Sequence, residues 1–270
     1  MSYDAIVIGA GAAGLMTAIT AGQLGQRVLV LDHANKAGKK ILMSGGGRCN
    51  FTNMYSGPEN FLSSNPHFCK SALARYTPWD FIALVNEHEI PHHEKTLGQL
   101  FCDNSSKDIL NMLLAEAEKV AAEVRLNTEI LNIEALHTGP ALRQAQGERD
   151  SEGQGFRIKT SIGDFEVPKL VIATGGLSIP KMGATGFGYQ IAKQFGLQTE
   201  PTRAGLVPLT LSGKPLEAIA PLSGLALTAV KVSNNGGQVF EEAMLCTHRG
   251  ISGPAILQIS SFWQPGETVL

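Results

Sequence analysis

Short apolar runs and one helical pattern alternate through the first 32 residues of the chain. Residues 5–8 and the centre of 27–32 are wholly apolar, which is typical of strands buried on both faces. Between them, apolar or small side chains recur at the period of a helix, at positions 15, 18, 19 and 22. The pattern predicts a strand, a helix and a second strand in a parallel βαβ unit.

Two later segments carry the start signals of helices. Thr77 and Pro78 form a cap and a first-turn proline ahead of one helical pattern. Ser105 begins another, and Asp108 follows three residues later as in a capping box. We therefore predict a helix after each of these positions.

The segments that follow favour strands. Residues 124–136 are strand-like, and alternation on both sides of a turn at 162–164 predicts a three-stranded meander that ends in a buried strand at 170–176. The polar, glycine-rich stretch at 137–155 has little to bury, so we expect a mobile hairpin loop there.

From about residue 202 the pattern changes to short β segments with hairpin turns, such as Asn-Asn-Gly-Gly at 234–237. We expect residues 1–201 to form one α/β domain and residues 202–270 to belong to a second, β-rich domain.

Composition argues against several classes of function. Lys and Arg number 22 against 24 Asp and Glu, a formal net charge of −2 over 270 residues, so the overall charge favours neither nucleic acid nor an anionic membrane. The four cysteines, at 49, 69, 102 and 246, show neither disulfide nor zinc-site spacing. The N-terminal apolar run is too short to span a bilayer and lacks the features of a signal peptide. We predict a cytoplasmic protein without a metal, a membrane contact or a nucleic-acid partner, in an oligomeric state that the sequence does not indicate.

The first strand runs directly into a G-x-G-x-x-G motif formed by Gly9, Gly11 and Gly14. In a dinucleotide-binding unit the first glycine permits the turn, the second lets the backbone approach a pyrophosphate, and the third allows the helix to pack on the strand. Asp32 ends the second strand, where a carboxylate can accept hydrogen bonds from ribose hydroxyls. The motif alone leaves NAD and FAD open.

A second glycine-rich stretch, "SGGGRCN", occupies residues 44–50. Its successive backbone amides and the guanidinium of Arg48 would form an anion-binding concavity, suited to a pyrophosphate or to the edge of a flavin. Thr174, Gly175 and Gly176 end the strand predicted at 170–176, at the carboxyl edge where open α/β sheets bind ligands. We expect both glycine-rich edges to face one ligand.

Four motifs together resemble a known family: "GAGAAG" at 9–14, "GKKILMSGGGRCNFTN" at 38–53, "IATGG" at 172–176 and "THRGISGPAIL" at 247–257. The whole chain is similar to bacterial flavoproteins of the BaiN/YhiN type, which are NAD(P)/FAD-dependent, aminoacetone-oxidase-like oxidoreductases. The resemblance implies an α/β fold, a two-dinucleotide-binding-type FAD domain with a parallel sheet and a β-meander, and an inserted β-rich domain. Family members continue beyond the fourth motif, so we expect the inserted domain to be incomplete and the activity of the 270 residues alone to be doubtful.

The resemblance also implies which residues bind the cofactor. Those matching the adenosine and pyrophosphate positions are Gly9, Gly11, Ala13, Gly14 and Asp32. Those matching the stretch along the cofactor are Lys40, Ser44, Gly45, Gly46, Gly47, Arg48 and Asn50.

Candidate catalytic side chains are few. His248 and Arg249 lie in a polar turn, where a cationic or proton-donating role toward a carbonyl substrate competes with a plain solvated turn. Cys49 has no cysteine among residues 50–54, so a dithiol mechanism is not favoured and a packing role is preferred.

We therefore predict an FAD-dependent oxidoreductase, reduced by NAD(P)H and acting on an unidentified small organic substrate. An NAD-only Rossmann dehydrogenase and an inactive, cofactor-free fragment that acts as a binding module remain as alternatives. A flavin-dependent RNA-modifying enzyme shares the N-terminal motif, but it would require a basic stripe that the sequence does not show.

Overall fold

A computed structural model describes residues 2–137, 154–179 and 183–270 of the chain. The chain divides into two compact units, Met1–Thr199 and Glu200–Leu270.

The strands of the first unit are β1 (Ala5–Ile8), β2 (Val28–Leu31), β3 (Asn50–Asn53), β4 (His92–Glu94), β5 (Gln99–Cys102), β6 (Glu123–Arg125), β7 (Ile130–His137), β8 (Gln154–Thr160), β9 (Gly163–Val167) and β10 (Lys169–Ile172). Its helices are α1 (Ala12–Gln23), α2 (Lys39–Met43), α3 (Lys70–Arg75), α4 (Pro78–Glu87), α5 (Ser106–Lys119) and α6 (Phe187–Gln194).

A parallel sheet of order β10-β1-β2-β6 forms the centre of the first unit. Alternate side chains of β1 enter two cores: Val7 packs with the apolar faces of α1 and α5, whereas Ile6 and Ile8 pack with the meander and α6. Every residue of β1 and β2 is buried, as the apolar runs predicted. A fully buried aliphatic side chain contributes about 1.5–3 kcal/mol.

The predicted helix starts are confirmed. The Thr77 side chain accepts a hydrogen bond from the amide of Asp80 at the start of α4, and Ser105 accepts one from Lys107 at the start of α5. Both caps are completed by an aspartate in a capping box.

The single strand predicted at 124–136 is wrong, because the segment contributes to two sheets. β6 ends at Arg125 and pairs with β2, whereas β7 begins at Ile130 and opens the meander. Between them Asn127 has φ +52°, and its amide donates to the carbonyl of Ala34. This left-handed residue interrupts the extended chain, and a side-chain pattern does not report such a backbone turn.

The meander consists of β7, β8 and β9 in an antiparallel sheet, and β10 then returns to the parallel sheet. The loop predicted at 137–155 lies outside the described residues, except for its two ends in β7 and β8.

A small antiparallel sheet of order β3-β5-β4 follows the second glycine-rich stretch. Its register sets Asn50 opposite Phe101 and Phe101 opposite His93, so these three side chains share one face.

The second unit contains β11 (Leu209–Thr210), β12 (Ala226–Ser233), β13 (Val239–Thr247) and β14 (Gly250–Ser252), with α7 (Gly213–Ile219) and α8 (Pro254–Ser260). The strands form an antiparallel sheet of order β11-β14-β13-β12, and α8 supplies Ala255, Ile256 and Ile259 to its core. The predicted hairpin turn at 234–237 is confirmed, since the amide of Asn234 donates to the carbonyl of Gln238.

Candidate functional site

The first glycine turn connects β1 to α1. Gly9 has φ +112°, and a Cβ atom there would lie 2.4 Å from the carbonyl oxygen of Ala173. A Cβ on Gly14 would lie 1.8 Å from the carbonyl oxygen of Gly9, so α1 packs directly on the turn. Gly11 differs, because its backbone is extended and no described atom lies within 4 Å of a Cβ built on it. The chain thus leaves room beside Gly11 at the N-terminus of α1, where the motif places a pyrophosphate.

Asp32 fixes the shape of this turn. One carboxylate oxygen accepts from the amide of Ala10 at 2.7 Å, and the other accepts from the amide of Ala34 at 2.8 Å. The side chain is 16% exposed, so the carboxylate supports the turn and still presents an edge to solvent. Sequence reasoning gave Asp32 a ribose contact and missed this bond to the glycine turn.

The second glycine-rich stretch is a tight turn with three glycines at positive φ, at +57° for Gly45, +66° for Gly46 and +89° for Gly47. A Cβ on Gly45 would lie 2.7 Å from the ring of Phe101, whereas Gly46 and Gly47 have no described atom within 4 Å of that position. The amide of Cys49 is used to close the turn onto the carbonyl of Ser44, at 3.0 Å. The predicted row of free amides is therefore shorter than Ser44–Asn50.

Arg48 and Lys40 supply positive charge beside this turn. The Arg48 side chain is exposed, and among the described residues it has no hydrogen-bond or ion-pair partner. The Nζ of Lys40 donates to the Oγ of Ser178 at 2.6 Å and lies 3.6 Å from where a Cβ of Gly175 would be.

Three predicted motifs therefore meet at the carboxyl edge of the parallel sheet. Ala173 of the "IATGG" segment touches Gly9, and the amide of Gly38 donates to the carbonyl of Ala10 at 2.8 Å. Lys40 then joins the second stretch to the third. The open glycine positions and the Lys40 ammonium at this edge are suited to a dinucleotide pyrophosphate.

Phe101 and its neighbours extend this edge, and sequence reasoning missed them. The His93 ring stacks on Phe101 with centroids 6.3 Å apart, and the Nζ of Lys95 lies 5.4 Å from the same ring. The Nδ1 of His93 is 2.6 Å from an Oδ1 of Asp103, and both side chains are partly exposed. Residues 92–95 are all polar, so their pattern does not mark a face of a strand; only the sheet register sets His93 beside Phe101, which lies against Gly45.

Cys49 and Cys102 lie in one apolar core cluster. Burial raises the pKa of the Cys49 thiol. The pKa of Cys102 is about 12, raised first by burial and then by the proximity of Cys49. Both thiols are therefore protonated at neutral pH, which agrees with packing and disfavours a thiolate nucleophile.

His248 and Arg249 form the exposed turn between β13 and β14. The backbone amide of Arg249 donates to the Oγ1 of Thr247 at 3.3 Å, and the carbonyl of Arg249 accepts from the amide of Leu211. These bonds explain the turn without a ligand, and the catalytic role of the two side chains remains a prediction.

Within the described ranges, no group of three His, Cys, Asp or Glu side chains is placed to hold a metal ion. No helix in that part of the chain is long and apolar enough to cross a membrane.

Comparison with known proteins places these features in context. Residues 3–237 match the family described as the HI0933-like protein Rossmann domain. A protein of Escherichia coli named ribosomal RNA dihydrouridine synthase is 56% identical over 267 residues, which cover 99% of this chain and 62% of that protein. Its namesake in Haemophilus influenzae is 48% identical over 264 residues, covering 98% of this chain and 62% of the relative.

A more distant relative is the 3-dehydro-bile acid delta(4,6)-reductase of Clostridium scindens, 27% identical over 259 residues that cover 94% of this chain and 59% of the reductase. The chain thus spans about three fifths of the length of these relatives. The predicted resemblance to BaiN/YhiN-type proteins is therefore supported for the family as a whole. The comparisons do not match this chain to one particular reductase.

The comparisons correct the prediction that nucleic acid is not a partner. Two relatives at 56% and 48% identity are named for ribosomal RNA, so that prediction is wrong. The net charge of −2 gave no sign of such a partner, because it averages over the whole chain.

Proposed function

This chain belongs to the HI0933-like Rossmann-domain family, and on that premise we propose that it binds FAD and reduces uridine in ribosomal RNA to dihydrouridine. The observation that carries the proposal is 56% identity, over 99% of this chain, to a protein named for that reaction. The matched residues cover 62% of each of these two relatives, so the proposed activity is that of a whole protein of this family.

The site residues fit FAD. The pyrophosphate would lie beside Gly11 and the N-terminus of α1, where the backbone leaves room for it. Asp32 would accept from the ribose hydroxyls through its exposed edge. Gly46 and Gly47 would allow the ligand to approach the backbone, with Lys40 and Arg48 as the nearby cations.

The reaction is a two-electron reduction of a carbon–carbon double bond conjugated with a carbonyl group. FAD held by the residues named above would supply the hydride chemistry, with NAD(P)H as the source of both electrons, and a proton would complete the reduction. NAD(P)⁺ and dihydrouridine are the products.

The proton requires a donor from the protein or from water. His93 is partly exposed, paired with Asp103 and stacked on Phe101 beside the glycine turn, so it is one proposed donor. A catalytic role for His248 and Arg249, which lie in the second unit, also remains a proposal.

A small organic substrate remains a second candidate, because the Clostridium scindens relative is named a bile acid reductase. The same residues would bind FAD, and the substrate would again be reduced.

The test combines spectroscopy with nucleoside analysis. Purified protein should show two flavin absorption bands that bleach on anaerobic addition of NADPH or NADH. Incubation with unmodified ribosomal RNA should convert uridine to a nucleoside heavier by two hydrogens, detected by mass spectrometry, and omission of the nicotinamide is the control. A protein without flavin would refute the cofactor, and a reducible flavin that leaves every uridine unchanged would refute the RNA substrate.

A further inference from the structure

Residues 55–79, here called the aromatic segment, carry every largely exposed Phe, Tyr or Trp side chain among the residues that the structure describes. Their exposed fractions are 70% for Tyr55, 48% for Phe61, 81% for Phe68, 42% for Tyr76 and 58% for Trp79. The other aromatic side chains are buried or half-buried, although they are spread over both units. A local concentration of exposed rings marks an interaction surface and not a general property of this chain.

The aromatic segment contributes nothing to the core. None of residues 55–79 is buried, although α3 and a short 3-10 turn at Pro58–Asn60 give the segment regular structure. The rings are therefore not required to fold the first unit, whose cores are formed by other residues.

The charge of the aromatic segment is complementary to a polyanion. Residues 60–79 contain Lys70, Arg75 and a histidine but no acid, in a chain whose net charge is −2. The segment has one acid, Glu59, which folds back against Gly57, and the Asp80 carboxylate that follows the segment caps α4. Both cations are exposed.

The aromatic segment also begins beside the candidate cofactor site. It follows β3, which starts at the end of the second glycine-rich stretch. The amide of Met54 donates to the carbonyl of Gly98 at 2.9 Å, and the Tyr55 ring lies against Gly98 in the turn that links β4 and β5. The first residue of the segment thus adjoins the sheet in which Phe101 packs against Gly45.

We propose that the aromatic segment binds single-stranded RNA, with bases stacked on Phe68 and Trp79 and phosphates paired with Lys70 and Arg75. Exposed rings provide sequence-tolerant stacking faces for unpaired bases, and interleaved cations neutralise the backbone. This inference rests on the proposed function, because that function supplies the RNA. A folded double helix would bury its bases away from the rings, so the partner is an unpaired strand.

The direct test observes Trp79 itself. The chain has two tryptophans, so in a Trp263→Phe background Trp79 is the single tryptophan reporter. Titration with a short oligouridine should quench its fluorescence, because a stacked base lies on the ring. If a labelled oligouridine binds but the Trp79 fluorescence is not quenched, the assignment of Trp79 is wrong.

Affinity measurements test the remaining residues. By anisotropy of labelled oligouridine, Phe68→Ala and Trp79→Ala should each weaken binding by roughly 5-fold or more, since one stacked base contributes about 1–3 kcal/mol. Phe68→Tyr and Trp79→Phe should retain binding, because the stacking face remains. Leu24→Ala is the matched control, since Leu24 is 76% exposed and lies outside the segment. The double change Lys70→Gln and Arg75→Gln should lower the salt dependence of log K by about 0.7 per cation.

The outcomes separate this inference from the proposed function. If the protein forms dihydrouridine and the alanine variants bind oligouridine like the parent, the surface is wrong and the function stands. If no dihydrouridine forms but binding depends on Phe68 and Trp79 as described, the surface stands and the function fails. If the protein does not bind oligouridine but forms a dimer that Phe68→Ala abolishes, the surface binds a second copy of the chain and the proposal is wrong.

Discussion

Replacing Gly11 and Gly14 separately should distinguish cofactor binding from folding. Both belong to the same motif, but the structure gives them different surroundings. A Cβ on Gly11 meets no described atom within 4 Å, whereas a Cβ on Gly14 would lie 1.8 Å from the carbonyl oxygen of Gly9. We therefore expect Gly11→Ala to fold normally and Gly14→Ala to be strongly destabilised.

The magnitudes follow from these distances. Gly11 has an extended backbone, with φ −87°, that alanine adopts without strain. Gly11→Ala should change the free energy of unfolding without FAD by less than about 1 kcal/mol, because the restricted unfolded chain favours alanine whereas the N-cap position of α1 favours glycine. Overpacking costs about 1–3 kcal/mol for a contact that can relax, and the contact at Gly14 is between two backbone segments, so its cost should reach or exceed that range.

FAD affinity should respond in the opposite order. The added methyl group of Gly11→Ala would occupy the place proposed for the pyrophosphate, and we expect at least tenfold weaker binding, or about 1.4 kcal/mol. Urea unfolding without FAD and a flavin fluorescence titration measure the two quantities independently. A Gly11→Ala protein that binds FAD like the parent would refute the pyrophosphate position, and a stable Gly14→Ala protein would refute the packing argument.

Three further changes test the site and its support. Asp32→Ala removes the acceptor for two backbone amides and the proposed ribose contact. Each hydrogen bond to a charged group contributes about 1.5–3 kcal/mol before solvent compensation, so the variant should lose FAD on gel filtration. Retained flavin would contradict this role of Asp32. Cys49→Ser should leave reduction of the flavin by NAD(P)H largely intact in stopped-flow experiments, because burial raises the pKa of this thiol and keeps it protonated; slow reduction with flavin still bound would restore a thiol mechanism. The pKa of Glu116 is lowered, mainly by its hydrogen bond from Lys119, so its stabilising contribution is complete above about pH 4.3 and is lost as the pH falls through the lower folded pKa. Glu116→Gln should therefore flatten the acid limb of a stability–pH curve, and an unchanged limb would show that another group governs it.

Rules that act on neighbouring residues were sufficient to predict much of the secondary structure of the first unit. A buried parallel strand needs a continuous apolar run, a capped helix needs an oxygen at its first position, and a glycine turn needs missing Cβ atoms. These requirements act over a few residues, so β1, the start of α4 at Thr77 and the turn at Gly9 could be predicted from adjacent positions.

Contacts between distant residues were not predictable in this way. Lys40 and Ser178 are 138 positions apart, and Phe101 reaches Gly45 only through the register of β3 and β5. The break at Asn127 likewise depends on a hydrogen bond to Ala34. Periodicity describes which side of an element is apolar but does not state which element it meets.

The aromatic segment shows the same division. Its rings and the absence of acids from residues 60–79 can be read along the chain, but aromatic side chains are usually core residues, and a net charge of −2 conceals a short cationic stretch. Only the folded chain distinguishes Phe68, which is 81% exposed, from Phe101, which is 8% exposed beneath a glycine turn. Burial depends on all the surrounding elements at once, so tertiary packing assigned one ring to a surface and the other to the support of the site.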